Sequence, residues 1–196
     1  MKLRTFYKTG ILFLFYLLAT NNSHAQKKPS LELGIKLMAE ANSYYDSFMP
    51  LTGVQLVYQK GKHGGLETGL YYRSQRVSTY YAIYDPNGGL YSGFSKIGVR
   101  FLTLPVLYRF RSRIINFTAG PSLDLYVSWK EKSKNKNGVV IDYNRSGNIA
   151  IGAVASISKD ISLGDKWVLE PEIRFNPVSD EGSYTAFGFA LRYKLH

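Results

Sequence analysis

The sequence contains no cysteine in its 196 residues. Disulfides, thiolate metal sites and a cysteine nucleophile are therefore excluded. Histidine is almost as scarce, and none of His24, His63 and His196 has a serine or an acid at a spacing that would form a relay or a metal-ligand set. No glycine-rich phosphate-binding motif is present. Asp85-Pro86-Asn87-Gly88-Gly89 lacks the spaced acids and closing glutamate of a calcium loop and reads as a turn. Charged residues make up only 20% of the chain. Beyond residue 25 there is no run of 18 apolar residues, so that part of the chain cannot cross a bilayer as a helix. The chain is expected not to be an enzyme and to require no cofactor or metal.

What is present begins with a three-part leader. Lys2, Arg4 and Lys8 precede the apolar stretch Ile11 to Ala19, and a polar stretch ends in Ser23-His24-Ala25. Small residues at these positions predict a signal peptide over 1–25, cut between Ala25 and Gln26. The apolar stretch rises only about 14 Å as a helix, too short to anchor in a core of about 30 Å. Residues 26–196 are then expected to form one domain outside the cytoplasm.

That domain alternates with period two. Phe187, Phe189, Leu191, Tyr193 and Leu195 oppose Ala186, Gly188, Ala190, Arg192 and Lys194. Trp167, Leu169, Pro171, Ile173 and Phe175 oppose Val168, Glu170, Glu172, Arg174 and Asn176. Similar segments start near Leu33, Val54, Leu66, Leu102, Ile115 and Ile149, giving eight strands. Connections alternate between short (60–64, 111–113, 159–165) and mostly longer (42–50, 78–96, 130–145, 178–183). The pattern predicts an all-β, eight-stranded antiparallel up-and-down transmembrane barrel, with both termini on the short-turn side.

The alternation also predicts which face is which. One face is Leu, Ile, Val, Phe, Tyr and Trp, with aromatics near strand ends. The other carries Lys36, Glu40, Glu67, Arg73, Arg109, Asp124, Glu170, Glu172, Arg174, Arg192 and Lys194 among glycines, alanines and serines. Eight strands enclose a narrow bore that accepts small residues and a few long ones. The charges are therefore expected inside as a structural network, with Glu67, Glu170 and Glu172 on Arg73, Arg109, Arg174 or Arg192, because unpaired interior charge is costly. The aromatic ends suit a membrane interface.

The formal charge of +11 is not gathered on a helix, so nucleic acid is not an expected partner. Its densest run, Trp129 to Asn137, reads as a solvated loop tip, with anionic polysaccharide or lipid headgroups as the functional alternative. The segment 79–94 places Tyr80, Tyr81, Tyr84, Tyr91 and Phe94 around a turn. This is either a hairpin extension of two strands or a binding surface, since exposed tyrosines favour recognition.

With the strands laid out, the chain resembles the PorT-like outer-membrane β-barrel family, within the small OmpA/OmpX-type barrels. The residues carrying the resemblance are Gly65 to Tyr72, Phe101 to Phe110, Phe117-Thr118-Ala119-Gly120-Pro121, the strand Phe187 to Leu195, and the leader ending at Ala25. The resemblance implies a Gram-negative outer membrane as location, lipid and lipopolysaccharide as surroundings, and insertion by the barrel-assembly machinery. A monomer binding a protein, glycan or lipopolysaccharide through its outer loops is the expected role. A narrow channel, a secretion-system accessory and a soluble periplasmic lipid carrier are the alternatives.

Overall fold

The computed structural model describes residues 29–42, 45–84, 89–131, 147–179 and 182–195, with positions 45–47, 77–79, 81–84, 91 and 131 described as backbone only. The leader and its Ala25–Gln26 cut, the Asp85–Gly88 turn, the tip beyond Glu131 and His196 lie outside the described residues.

Nine antiparallel strands follow in chain order: β1 (Ser30–Asn42), β2 (Tyr45–Gln59), β3 (Gly64–Tyr84), β4 (Leu90–Arg111), β5 (Asn116–Glu131), β6 (Ile149–Ser158), β7 (Ile161–Leu163), β8 (Trp167–Val178) and β9 (Gly182–Lys194). Each pairs with its neighbour from β1 to β6, β9 pairs with β1 and β8, and β6 pairs with β8. The sheet is thereby closed into a ring with no free edge through the barrel, the one sheet arrangement that satisfies its backbone in lipid. β7 adds no ninth position to the ring. Ile161 faces Leu169 in the same register in which Ser158 faces Glu172, so β6 and β7 are one strand interrupted at Lys159–Asp160. The interruption lies opposite Pro171, which has no N–H to return to Lys159, although the Lys159 amide still donates to the Pro171 carbonyl at 3.2 Å.

The faces separate as the alternation requires. Leu104, Ile173 and Phe189 are exposed on the outer wall at 36%, 65% and 47%, whereas Glu172 and Arg192 inside are at 4% and 0%. An apolar outside this continuous is unsuited to water and suited to lipid. At the short-turn end Trp167 meets Tyr193 edge-on at 5.0 Å and His63 stacks on Phe110 at 5.6 Å. Amphipathic rings of this kind favour the membrane interface. Among the described residues no helix is long and apolar enough to cross a membrane, a finding without bearing on strands.

Several strands run further than the alternation indicated. β1 and β2 nearly meet across residues 42–45, and β3 and β4 pair out to Tyr84 and Leu90, so most of 42–50 and 78–96 is strand rather than loop. The β3–β4 hairpin therefore extends well past the last residues of β2 that pair with it, Leu51 opposite Arg73. A second departure is a bulge in β5 at Val127, where Arg100 pairs with Ser128 but Phe101 with Tyr126. One extra residue flips the parity. Trp129 consequently turns inward and packs with Tyr126 on Ile97, Val99 and Phe101.

Candidate functional site

The interior is filled by ion pairs that divide into three layers along the bore. The layer nearest the short turns joins Arg109, Arg111 and Arg192 to Glu32, Asp160 and Glu170. Arg192 contacts Glu32 at 2.6 Å, Glu170 at 3.1 Å and Asp160; Arg109 contacts Glu170 at 2.5 Å and Asp160 at 3.0 Å; Arg111 contacts Asp160 at 2.7 Å. The middle layer joins Lys36 and Arg174 to Glu67 and Glu172. Lys36 lies 2.9 Å from Glu67 and 2.5 Å from Glu172, and Arg174 lies 2.8 Å from Glu172. Glu67 links the two layers through Arg109 at 2.9 Å, and Tyr71 presents its ring to Arg174 at 5.3 Å.

The third layer, toward the longer connections, is centred on one guanidinium. Arg73 contacts Glu40 at 2.7 Å and Asp124 at 2.6 Å and lies over the Tyr184 ring at 4.3 Å. The Tyr184 hydroxyl donates to Gln75 at 3.1 Å. In this layer the second oxygens of Glu40 and Asp124 and the Thr103 hydroxyl are buried without a hydrogen-bond partner. Above it the apolar group of Ile97, Val99 and Phe101 narrows the mouth.

Burial of these charges depends on the small residues of the same face. A Cβ at Gly34 would lie 2.6 Å from Arg192 Cγ, and one at Gly53 would lie 2.1 Å from the Leu70 carbonyl and 2.7 Å from the Tyr71 ring. The glycines are sockets into which long side chains and neighbouring backbone fit.

Ten of the eleven charged residues of the alternating polar face are buried here. Lys194 is the exception and must be corrected. It has interior parity but lies at the end of β9, where its ammonium donates to the exposed Asp165 carbonyl at 3.2 Å. Glu67, Glu170 and Glu172 meet Arg109, Arg174 and Arg192 from the expected set, whereas Arg73 takes Glu40 and Asp124. Three interior participants were missed: Glu32, Arg111 and Asp160. Each continues the parity of its strand by one or two residues beyond the boundary drawn from hydropathy, which was the available signal.

Of the aromatic segment, Tyr80 and Phe94 are exposed at 57% and 75% and meet edge-on at 5.4 Å on the projecting hairpin. Tyr81, Tyr84 and Tyr91 belong to the same hairpin, and their side chains lie outside the described residues. His63, at the opposite end, bonds the Arg111 carbonyl through Nδ1 at 2.8 Å.

A closed eight-stranded ring with an apolar outer wall and an ionic interior is the fold of the small outer-membrane β-barrels. Solved structures of that class are similar to this chain in fold. Outer membrane protein OprG from Pseudomonas aeruginosa matches over 87% of this chain and 97% of its own, at 9% identity and a TM-score of 0.50. Ail, the attachment invasion locus protein of Yersinia pestis, matches over 87% and 100% at 8% identity and 0.48. Neisserial surface protein A matches over 87% and 99% at 12% identity and 0.47. No family model and no curated protein matches the chain.

Proposed function

We propose that this chain is an integral outer-membrane protein that acts as a binding module through its long-loop end, for a protein partner, a surface glycan or lipopolysaccharide. The observation that carries the reading is the filled lumen. Three layers of buried ion pairs occupy the bore, and removing any one partner would strand a charge. Solute passage is left without a route, and recognition is left to the outside. The surface that offers itself is the β3–β4 hairpin, which among the described residues runs past its pairing with β2 and exposes Tyr80 and Phe94.

In this reading the leader is removed between Ala25 and Gln26, the barrel-assembly machinery inserts a monomer, and the PorT-like resemblance describes its wider family. No catalytic step is assigned to it. The test has two arms. Reconstituted into planar bilayers, the protein is expected to give no steady single-channel current. Incubated with lipopolysaccharide-bearing vesicles or immobilised glycans, it is expected to bind, and Tyr80→Ala with Phe94→Ala to reduce binding at least tenfold with unchanged heat-modifiable gel mobility. Steady unitary currents together with binding indifferent to both substitutions would replace this reading with a channel.

A further inference from the structure

The outer wall is not evenly convex. A groove of about 1080 Å³ crosses it, from Ile115, Ile157 and Lys159 at the short-turn rim, over Pro171 and between Phe187 and Phe189, to Ala39 and Pro50. Small or ring-closed residues, Ala39, Pro50, Pro171 and Gly188, stand in its lining among the larger Ile157, Ile173, Phe187 and Phe189. It traverses the neighbours β6, β8, β9, β1 and β2, four inter-strand steps, or about 19 Å. That exceeds the depth of one leaflet, half of a core about 30 Å thick, and suits a chain lying obliquely.

Two further observations say what fills it. The groove opens onto a cationic rim: Lys159 lines its mouth, and Lys62, Arg113 and Lys166 are exposed along the same end. Among the described residues of that end one exposed acid, Asp165, stands against them, because Asp160 is committed to the interior ion pairs. The groove also overlies the pairing of β6 and β7 with β8, at the place where Pro171 leaves the ladder incomplete. An apolar trough ending in ammonium and guanidinium groups at headgroup level is complementary to an acyl chain bearing a phosphate.

We propose that this groove is a specific site for one anionic phospholipid of the leaflet on the short-turn side, its acyl chain along Pro171 and Ala39 and its phosphate on Lys159. The inference rests on the membrane-barrel reading above. A bound chain covers the interrupted ladder between β6, β7 and β8, so the lipid also steadies that pairing.

The experiment is native mass spectrometry of the detergent-purified protein with equal amounts of dioleoylphosphatidylglycerol and dioleoylphosphatidylcholine. One phosphatidylglycerol is expected to be retained under activation that strips phosphatidylcholine. Lys159→Glu is expected to lower that retention about tenfold and Lys159→Gln less. Ala39→Trp, which fills the trough from the wall, is expected to abolish retention without altering heat-modifiable mobility. Inorganic phosphate is expected not to compete, because it lacks the chain. Equal retention of both lipids, or retention unchanged in Ala39→Trp, overturns the groove as a site. Vesicle insertion is measured in parallel: failure to insert into phosphatidylcholine vesicles overturns the membrane reading and the groove with it, whereas insertion without phosphatidylglycerol preference overturns the groove alone.

Discussion

Glu67 offers the sharpest test of the ionic interior. Its carboxylate has three cationic neighbours, Lys36 and Arg109 at 2.9 Å and Arg174 at 3.4 Å, and all four side chains are at most 1% exposed. With an effective dielectric of about 20, each contact is worth roughly 5 kcal/mol gross. Removing the carboxylate from water costs several kcal/mol and offsets part of this. In Glu67→Gln the attraction is lost and that cost is spared, while Lys36 and Arg174 keep Glu172 and Arg109 keeps Glu170. One positive charge remains without a counter-ion among fully buried side chains. The net loss is expected at about 3–5 kcal/mol, the range for breaking one partner out of a buried pair. Adding Lys36→Met removes the surplus cation, so the double variant is expected to recover at least about 2 kcal/mol of that loss. Urea unfolding in phospholipid vesicles, followed by tryptophan fluorescence, reads both. A single-variant loss below about 1 kcal/mol, or losses that simply add in the double variant, would refute an interior held by charge pairing.

Three other outcomes follow from the same geometry. Gly53→Ala places a methyl 2.1 Å from the Leu70 carbonyl and is expected to cost about 1–3 kcal/mol by overpacking, whereas Gly61→Ala, with nothing within 4 Å, is expected to stay within about 0.5 kcal/mol; equal urea midpoints would contradict this. At the strand break, burial raises the Asp160 carboxyl, but Arg192, Arg109 and Arg111 outweigh it and hold it below the usual aspartate value. Its contribution is complete above the unfolded value of about 3.9 and is lost as pH falls through the lower folded one. Stability should therefore fall from about pH 4 downward more steeply in the parent than in Asp160→Asn, and parallel curves would exclude the linkage. Trp167, paired with Tyr193 at the short-turn rim, should in a Trp129→Phe background be quenched most by lipids brominated near the headgroup; maximal quenching by labels at the chain ends would place the rim wrongly.

The strand pattern was legible because lipid outside and ions inside give every residue of a strand one of two contrasting addresses. Phe187 and Arg192 could be placed from parity alone. The boundaries were less legible, because hydropathy fades before pairing ends. Glu32, Arg111 and Asp160 lie one or two residues outside the clear alternation of their strands yet keep interior parity, and they complete the layer nearest the turns. Trp129 was opaque for a different reason: a bulge at Val127 resets the parity, and nothing in the residues around it announces the extra one. Lys194 erred the other way, because parity says which side a residue faces and not whether the wall still surrounds it. Which acid meets which base was only partly accessible. Arg73 takes Glu40 and Asp124 because strand tilt brings β1, β3 and β5 to one height there, a shear that alternation does not encode.

The co-location of glycine and charge on one face has a mechanical consequence. A narrow bore can hold fully buried arginines only if the wall recedes beneath them, as Gly34 does under Arg192. The recess in turn is filled by that side chain and the adjoining β9 backbone, and the side chain takes its counter-ions Glu32, Glu170 and Asp160 from other strands. Sockets, cations and acids are thus mutually dependent, and a bore opened by evolution would need all three to change together. Substitutions outside the ring face no such linkage. The hairpin beyond Arg73 and the apolar wall can vary one residue at a time without stranding a charge. A protein built this way can acquire new specificity at its loop end and its lipid-facing surface far more readily than through its centre.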